Sequence, residues 1–474
     1  MIIPSVSVSE RYDSNVFFAP KSLLGPTKKP EDFITMVTPQ INVSHTGSMT
    51  RSNIFVGGLI TRYLHNPNLD YTGINAGGQS DLRGWANSIS QRITALTVRG
   101  TYQFTPSVSS FGATAANGGL GVGAGSTSVG LLDTGLVTNR VSMQRYTLGT
   151  LGAYQLTAIT NLVGTFDYSK ISFGTQSGGV NNALFSTTGY QGTTTINTVI
   201  TARDTVGATA AMAHFEQERS GGSGQGSFTT IRETLNWTSL WTPKLTTFLA
   251  AGGIVTLPVG SSVPGQSIKT HLAPTFSARM TYSSFSEALR EGGSSFSQYT
   301  SFPSLEGSLN PGGILPPGAY VVSMLSTYSI SPSYAFGSGP MKTLVAGVNA
   351  SGGIARNLSG QVGMNYAHGS RDLPSSSFDS GVVSAGALYL IGPVLATLTY
   401  NWMFFSNSTD QASLNTTSTY QFSKEMVMLS LSYAFVSPSF FRMGEFGSSG
   451  VSAPSGGGTE SRPSGDGSGI LRKE

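Results

Sequence analysis

The chain has 474 residues, a net charge of +4 and a pI near 9.1, so its charge is too mild to argue for nucleic acid. Charged residues are 11%, against roughly 25% in an average soluble protein, and Gly, at 60 residues, is about twice its usual share. Hydrophobic residues are only 38% and mean hydropathy is +0.01, too low for a soluble core of this size, and with no Cys there is neither a disulfide framework nor a thiolate metal site.

No run of about 18 apolar residues exists, which excludes a transmembrane helix. A β-barrel is the other fold that satisfies every backbone group inside lipid, and it needs only every second residue to be apolar. The N-terminus, Met-Ile-Ile-Pro-Ser-Val, has no basic n-region and no apolar h-region, so it reads as a mature portion or a late start.

In chain order, residues 5–18 open with alternation at Val6 and Val8, and 19–32 read as a polar loop. Residues 33–44 place Phe33, Val37, Ile41 and Val43 on one face, with Pro39 removing one ladder donor. A turn at 45–48 leads to a strand over 53–64, and 65–83 read as a polar loop.

From Ile93 a module recurs: a short Thr/Ser/Pro turn, an alternating strand, then an aromatic. Val98, Gly100, Tyr102 and Phe104 share a face, with Arg99, Thr101 and Gln103 opposite. Leu162, Gly164, Phe166 and Tyr168 repeat this against Asn161, Thr165 and Asp167. Further copies carry Phe248, Ala250 and Ile254, then Phe276, Ala278, Met280 and Tyr282, then Val362, Met364 and Tyr366. After a Gly392-Pro393 turn, Val394, Ala396, Leu398, Tyr400, Trp402 and Phe404 form the clearest face, with Leu395 and Met403 as exceptions opposite. Val427, Leu429, Leu431, Tyr433 and Phe435 make the last copy. Weaker copies sit near Arg203-Asp204 and Ile330-Ser331-Pro332, and Glu233 departs from the pattern between Ile231 and Leu235, suggesting a bulge or a rim.

The spacing is too irregular for a solenoid. Stretches 106–140, 174–189, 219–226, 288–317 and 370–378, rich in Gly, Ser, Asn and Pro, read as long connections. The prediction is an all-β, antiparallel transmembrane β-barrel of roughly 18 strands (about 16–20), with short periplasmic turns and long extracellular loops. Residues 1–32 form an N-terminal strand and loop, 33–446 the barrel, and 447–474 a Gly/Ser/Pro tail that cannot bury a core. A soluble sandwich would show the same alternation, but its wet face would carry Lys and Glu rather than Thr, Ser, Asn, Gln and Gly.

The chain looks like bacterial outer-membrane β-barrel proteins. Residues 9–17, Ser-Glu-Arg-Tyr-Asp-Ser-Asn-Val-Phe, followed by 33–39, resemble an uncharacterised porin-like family associated with exopolysaccharide export loci. The resemblance implies an outer-membrane location, a pore that passes polar solutes or assists polysaccharide export, and a homo-oligomer or secretion-complex partner. The expected partners are the lipid bilayer and a polar solute or polysaccharide, with no nucleic acid and no cofactor.

A barrel of this size is too wide for side chains to fill. The predicted pore-lining residues are Arg99, Gln103, Asn161, Asp167, Arg232, Asn236, Arg279, Gln361 and Asn365. Arg99 and Arg279 would bias the pore towards anions, and a meeting with Asp167 across the lumen would create a transverse field. The alternative is a plugged surface barrel whose long loops act in adhesion or structural interaction.

Enzymatic signatures are sparse. No metal site is expected: none of His45, His65, His214, His271 and His368 forms a metal-ligand pair with a carboxylate at helical or hairpin spacing. There is no Gly-x-Ser-x-Gly elbow, and the glycines of 118–125 lack nucleotide-loop spacing. A Ser/His pair on neighbouring outward strands, as in a membrane-embedded lipase, is a third reading.

Overall fold

The structure, a computed structural model, describes residues 1–17, 29–108, 141–174, 185–219, 225–261, 270–284, 315, 317–332, 340–372, 375–411 and 416–435. The predicted tail at 447–474 lies outside them. The strands are β1 (Ile2–Asp13), β2 (Asp32–Thr46), β3 (Arg51–Tyr63), β4 (Tyr71–Asp81), β5 (Ile93–Val108), β6 (Val141–Gln155), β7 (Thr160–Phe173), β8 (Phe185–Val199) and β9 (Asp204–Arg219). They continue as β10 (Gln225–Thr242), β11 (Leu245–Ser261), β12 (His271–Ser283), β13 (Tyr320–Pro332), β14 (Pro340–Ala355), β15 (Leu358–Asp372), β16 (Ser375–Ile391), β17 (Val394–Gln411) and β18 (Thr416–Ala434). Each pairs antiparallel with its sequence neighbours, and β1 pairs with β18, so one 18-stranded sheet closes on itself without an edge.

Closure brings β1 into the wall, so residue 32 is no boundary in the fold: Ile2–Asp13 is a barrel strand between β2 and β18. Its seam with β18 carries a serine ladder on the inner face. Ser430 Oγ lies 3.0 Å from both Ser7 and Ser9, and Ser432 donates to Ser7 at 2.9 Å. One strand-length away, Lys424 Nζ of β18 lies 2.8 Å from Asp13 Oδ2 of β1, with both side chains 1% exposed.

Pairing fixes which way each side chain points. Val98, Tyr102 and Phe104 of β5 stand beside Ser80, Ala76 and Ile74 of β4, and large apolar side chains on that face are exposed around the whole ring. Aromatics form two outward belts. One holds Tyr12–Phe33 (centroids 5.3 Å), Tyr102–Tyr146 (4.9 Å), Tyr168–Tyr190 (5.3 Å) and Trp402–Phe404 (5.6 Å). The other, nearer the chain ends, holds Trp237–Trp241 (6.0 Å), Tyr282–Tyr320 (5.7 Å) and Tyr433–Phe435 (4.7 Å). On β13 the belts are marked by Tyr320 and Tyr328. That spacing is about 27 Å along the strand and roughly 20 Å along the barrel axis after tilt, close to the apolar band of an outer-membrane barrel.

The end that carries Met1 and Phe435, where the Phe435 N–H donates to the Pro4 carbonyl at 3.1 Å, is called proximal, and the opposite end distal. Proximal connections are mostly tight, at 47–50, 156–159, 200–203, 243–244, 356–357 and 392–393. Gly392 takes φ 58°, which a two-residue hairpin requires and glycine adopts without strain. The stretch 82–92 holds a short helix, α1 (Arg83–Ile89). Two expected long connections differ. β12 ends at Ser283 and β13 begins at Tyr320 at the proximal end, and nearly all of the predicted 288–317 loop between them lies outside the described residues. The predicted 370–378 loop is instead strand on both sides, with only 373–374 between β15 and β16 at the distal end.

Two readings of the wall are corrected as well. The predicted loop 65–83 contains β4, whose Gly, Asn and Gln content hides one outward row of Thr72, Ile74, Ala76 and Gly78. Phe248, Ala250 and Ile254 face inward. Leu249 and Val255, opposite outward Trp237 and Ile231, take the lipid side. Consecutive apolar residues there give no parity, so pairing alone decides.

Glu233 lies on the outward face beside Ala210 and Gly253, in regular register rather than at a bulge. A carboxylate in the apolar band is costly, so Glu233→Leu should stabilise the folded barrel by about 1–2 kcal/mol. A urea titration followed by heat-modifiable gel migration measures it.

Candidate pore lining

All nine predicted lumen residues fall on the inner face by register. Arg99 and Gln103 alternate with outward Val98, Gly100, Tyr102 and Phe104; Asn161 and Asp167 alternate with Leu162, Phe166 and Tyr168. Arg232 and Asn236 flank Glu233 and Leu235, and Arg279 lies between Ala278 and Met280. Gln361 and Asn365 alternate with Val362, Met364 and Tyr366. Around them the middle of the inner wall is Ser, Thr, Asn, Gln and Gly: Ser7, Gln40, Asn75, Thr147, Thr193, Thr209, Ser277, Asn349, Ser384 and Thr399 all point inward.

The glycines of this wall have a local cause. Gly347 stands opposite Asn365, and Gly363 opposite Asn349. A Cβ on either glycine would overlap the facing amide oxygen, so each Asn side chain lies flat across the neighbouring strand. Long polar side chains laid against the wall keep the bore open, which accounts for part of the chain's Gly excess.

The same device governs the charges. Arg99 of β5 and Asp167 of β7 are separated by β6, and Gly149 lies between them. A Cβ at Gly149 would overlap Asp167 Oδ1 and Arg99 Nε. Without it the guanidinium reaches across, and Arg99 Nη2 donates to Asp167 Oδ1 at 2.8 Å. The pair sits on one wall, so no transverse field spans the lumen, and Arg99 is neutralised where it stands. Arg232 and Arg279 form no ion pair among the described residues and carry the excess positive charge of the mid-lumen.

From this follows an expected result. Asp167→Asn frees the Arg99 charge and should move the zero-current potential further towards the anion value, whereas Arg99→Gln unmasks the Asp167 carboxylate and should move it by a similar amount towards the cation value. Gly149→Ala forces the pair apart but removes neither charge, so it should leave the zero-current potential near the wild-type value. Planar-bilayer recordings under a KCl gradient measure all three.

The interior is not polar throughout. Towards the distal end the inward positions become apolar and buried, including Phe215, Phe228, Phe378, Met403, Phe405 and Met426. Beside the seam, residues 14–17 turn onto the inner wall. The Val16 N–H donates to the Pro30 carbonyl at 2.7 Å, and Val16 and Phe17 pack on Ile34, Met36, Tyr63, Leu69 and Met428. Buried Asp32 ties this segment to the β3–β4 connection. Its carboxylate accepts the His65 N–H at 2.9 Å, the Asn66 N–H at 3.0 Å and Asn66 Nδ2 at 2.8 Å.

Sequence reasoning missed the inward charges of this region, Arg11, Asp13 and Lys424. The parity of Arg11 and Asp13, two residues apart on an alternating strand, was the available signal; Lys424 could be placed only once β18 closed on β1. A histidine–carboxylate pair across a hairpin was also hidden from the sequence. His368 and Asp379 stand directly opposite on β15 and β16, with Nδ1 to Oδ1 at 2.9 Å, because the stretch read as a loop is paired strand. Among the described residues no group of three or more acidic or histidine side chains could hold a metal ion.

A closed antiparallel sheet, apolar outside between two aromatic belts and polar at mid-bore, defines a transmembrane β-barrel. No protein-family model and no curated protein matches the chain. Among solved structures it is similar to Pseudomonas aeruginosa OccK3 (OpdO), with 11% identity, 92% of this chain and 96% of that one covered, and a TM-score of 0.39. It is also similar to P. aeruginosa OpdK with vanillate (11% identity, 92% and 98%, 0.38) and to Acinetobacter baumannii OccAB2 (7%, 92% and 98%, 0.43). Likeness at this level carries no inference about solutes, and the functional reading rests on the chain's own residues.

Proposed function

We propose that the protein is a passive pore of the bacterial outer membrane for polar solutes, with a bias towards anions. The supporting observation is the inner wall at mid-barrel. It is lined by uncharged polar side chains held flat over glycines; Asp167 there is paired with Arg99, while among the described residues Arg232 and Arg279 form no ion pair. A ring of 18 strands is wide enough to hold water. The resemblance of residues 9–17 and 33–39 to a porin-like family of exopolysaccharide loci extends the reading to assistance in polysaccharide export, with a secretion-complex partner or a second copy at the wall. Short turns would then face the periplasm and the distal end the outside. Uptake of a charged, membrane-impermeant dye into liposomes holding the refolded protein tests the pore; anionic dyes should enter faster than cationic dyes of equal size, and equal exclusion of both would refute it.

A second reading is a plugged surface barrel whose connections act in adhesion. The buried apolar collar and the inward segment at 14–17 favour it, since both narrow the distal mouth. Dye exclusion together with a folded, heat-modifiable barrel is its expected result.

A further inference from the structure

Outside the lumen, the outer wall of β15 and β16 carries a cluster that the pore reading does not use. Tyr366 and His368 share the outward face with Met364, which is 58% exposed, and Asp379 stands opposite His368 on the same face. His368 Nδ1 lies 2.9 Å from Asp379 Oδ1, and the Tyr366 hydroxyl donates to that oxygen at 2.5 Å. The His368 and Asp379 side chains are 44% and 43% exposed, so the cluster opens to the barrel's surroundings. A carboxylate held at Nδ1 fixes the ring as the tautomer whose Nε2 bears the lone pair, which is the base form of a hydrolytic triad.

A nucleophile stands in the right place. Ser370 follows His368 by two residues and therefore shares its face, with Cα atoms about 6.7 Å apart on an extended strand. That spacing is bridged when the two side chains turn towards each other, and such contacts tighten only when substrate binds. Directly opposite Ser370 on β14 is Lys342. The cluster is level with the distal aromatic belt, where the barrel passes from hydrocarbon to headgroups. Glycerolipid ester bonds lie at that depth.

We propose that Ser370, His368 and Asp379 form a serine hydrolase site on the outer wall, acting on acyl esters of membrane lipids. Ser370 Oγ adds to the acyl carbonyl while His368 Nε2 takes the hydroxyl proton. The tetrahedral adduct collapses, the ester C–O bond breaks, and the imidazolium returns that proton to the leaving alkoxide. Water, deprotonated by Nε2, then adds to the acyl-serine. The serine C–O bond breaks and Ser370 regains the proton, so one ester and one water yield one acid and one alcohol. Asp379 holds the imidazole and offsets its charge, and Tyr366 holds Asp379.

The test uses the full chain refolded in detergent, treated with a fluorophosphonate and mapped by peptide mass spectrometry, with fatty-acid release from phosphatidylethanolamine mixed micelles measured in parallel. The adduct is expected on Ser370. Ser370→Ala should abolish adduct and release, and His368→Asn or Asp379→Asn should slow release by about 10²–10⁴-fold, all with heat-modifiable migration and dye uptake retained. A folded wild-type chain that takes no adduct, takes it on another residue, or releases fatty acid as fast after Ser370→Ala overturns the proposal. The wild-type mapping decides even if a variant misfolds, and dye uptake reads the pore separately.

Discussion

Replacing Lys424 with Met should lower the unfolding free energy of the barrel by about 3–5 kcal/mol, because it leaves the Asp13 carboxylate buried without its ammonium. The two groups lie 2.8 Å apart with side chains 1% exposed, so neither can turn to water. Asp13 has further duties: Oδ1 accepts the Asn15 N–H at 3.0 Å, starting the inward turn of residues 14–17, and Arg11 Nη2 lies 3.9 Å from Oδ2. Loss of Lys424 therefore loosens both the β1–β18 seam and the segment packed on Met428 and Ile34. The double variant Asp13→Asn, Lys424→Met should recover most of the loss, since burying a neutral amide costs far less than burying a carboxylate that has lost its ammonium. Guanidinium titration followed by tryptophan fluorescence checks both. A single-variant loss below about 1 kcal/mol would mean that the pair is solvated and does not clamp the seam.

The second large effect concerns selectivity. Arg232→Glu and Arg279→Glu each change the wall by two charges. At ~8 Å from a passing ion and an effective dielectric of ~60, Coulomb's law gives about 1.4 kcal/mol for each, against the anion and in favour of the cation, so the anion-to-cation permeability ratio falls roughly a hundredfold. The double reversal should turn an anion-leaning pore into a cation-selective one. Arg99→Glu changes the wall by the same two charges and unmasks Asp167, so it should shift selectivity in the same direction. Salt should weaken all three effects, because screening in a wet lumen grows with ionic strength.

How far the sequence carries these conclusions depends on the element. The strand Val394–Gln411 was readable because a Gly-Pro turn and six alternating apolar residues agree on one face, and the structure places Leu395 and Met403 inward as the exceptions required. β11 was misread because Phe248-Leu249 and Ile254-Val255 are apolar at both parities, and only the pairing with β10 decides between them. β4 was passed over because a strand that lies half over glycines has a loop's composition. The inner-face positions of Arg99 and Asp167 followed from alternation alone. Their meeting on one wall did not, because it depends on a missing Cβ at Gly149 on the strand between them. His368 and Asp379 were hidden for a related reason: Pro374 and a run of serines suggested a loop where the hairpin is tight, and the register that sets them face to face depends on that tightness.

The central claim is that apolar side chains face lipid around a continuous water-filled bore. Single-channel recording of the refolded full chain in a planar bilayer tests it most directly. Discrete conductance steps with a zero-current potential on the anion side of a KCl gradient are predicted; a silent bilayer containing demonstrably folded, inserted protein would contradict it.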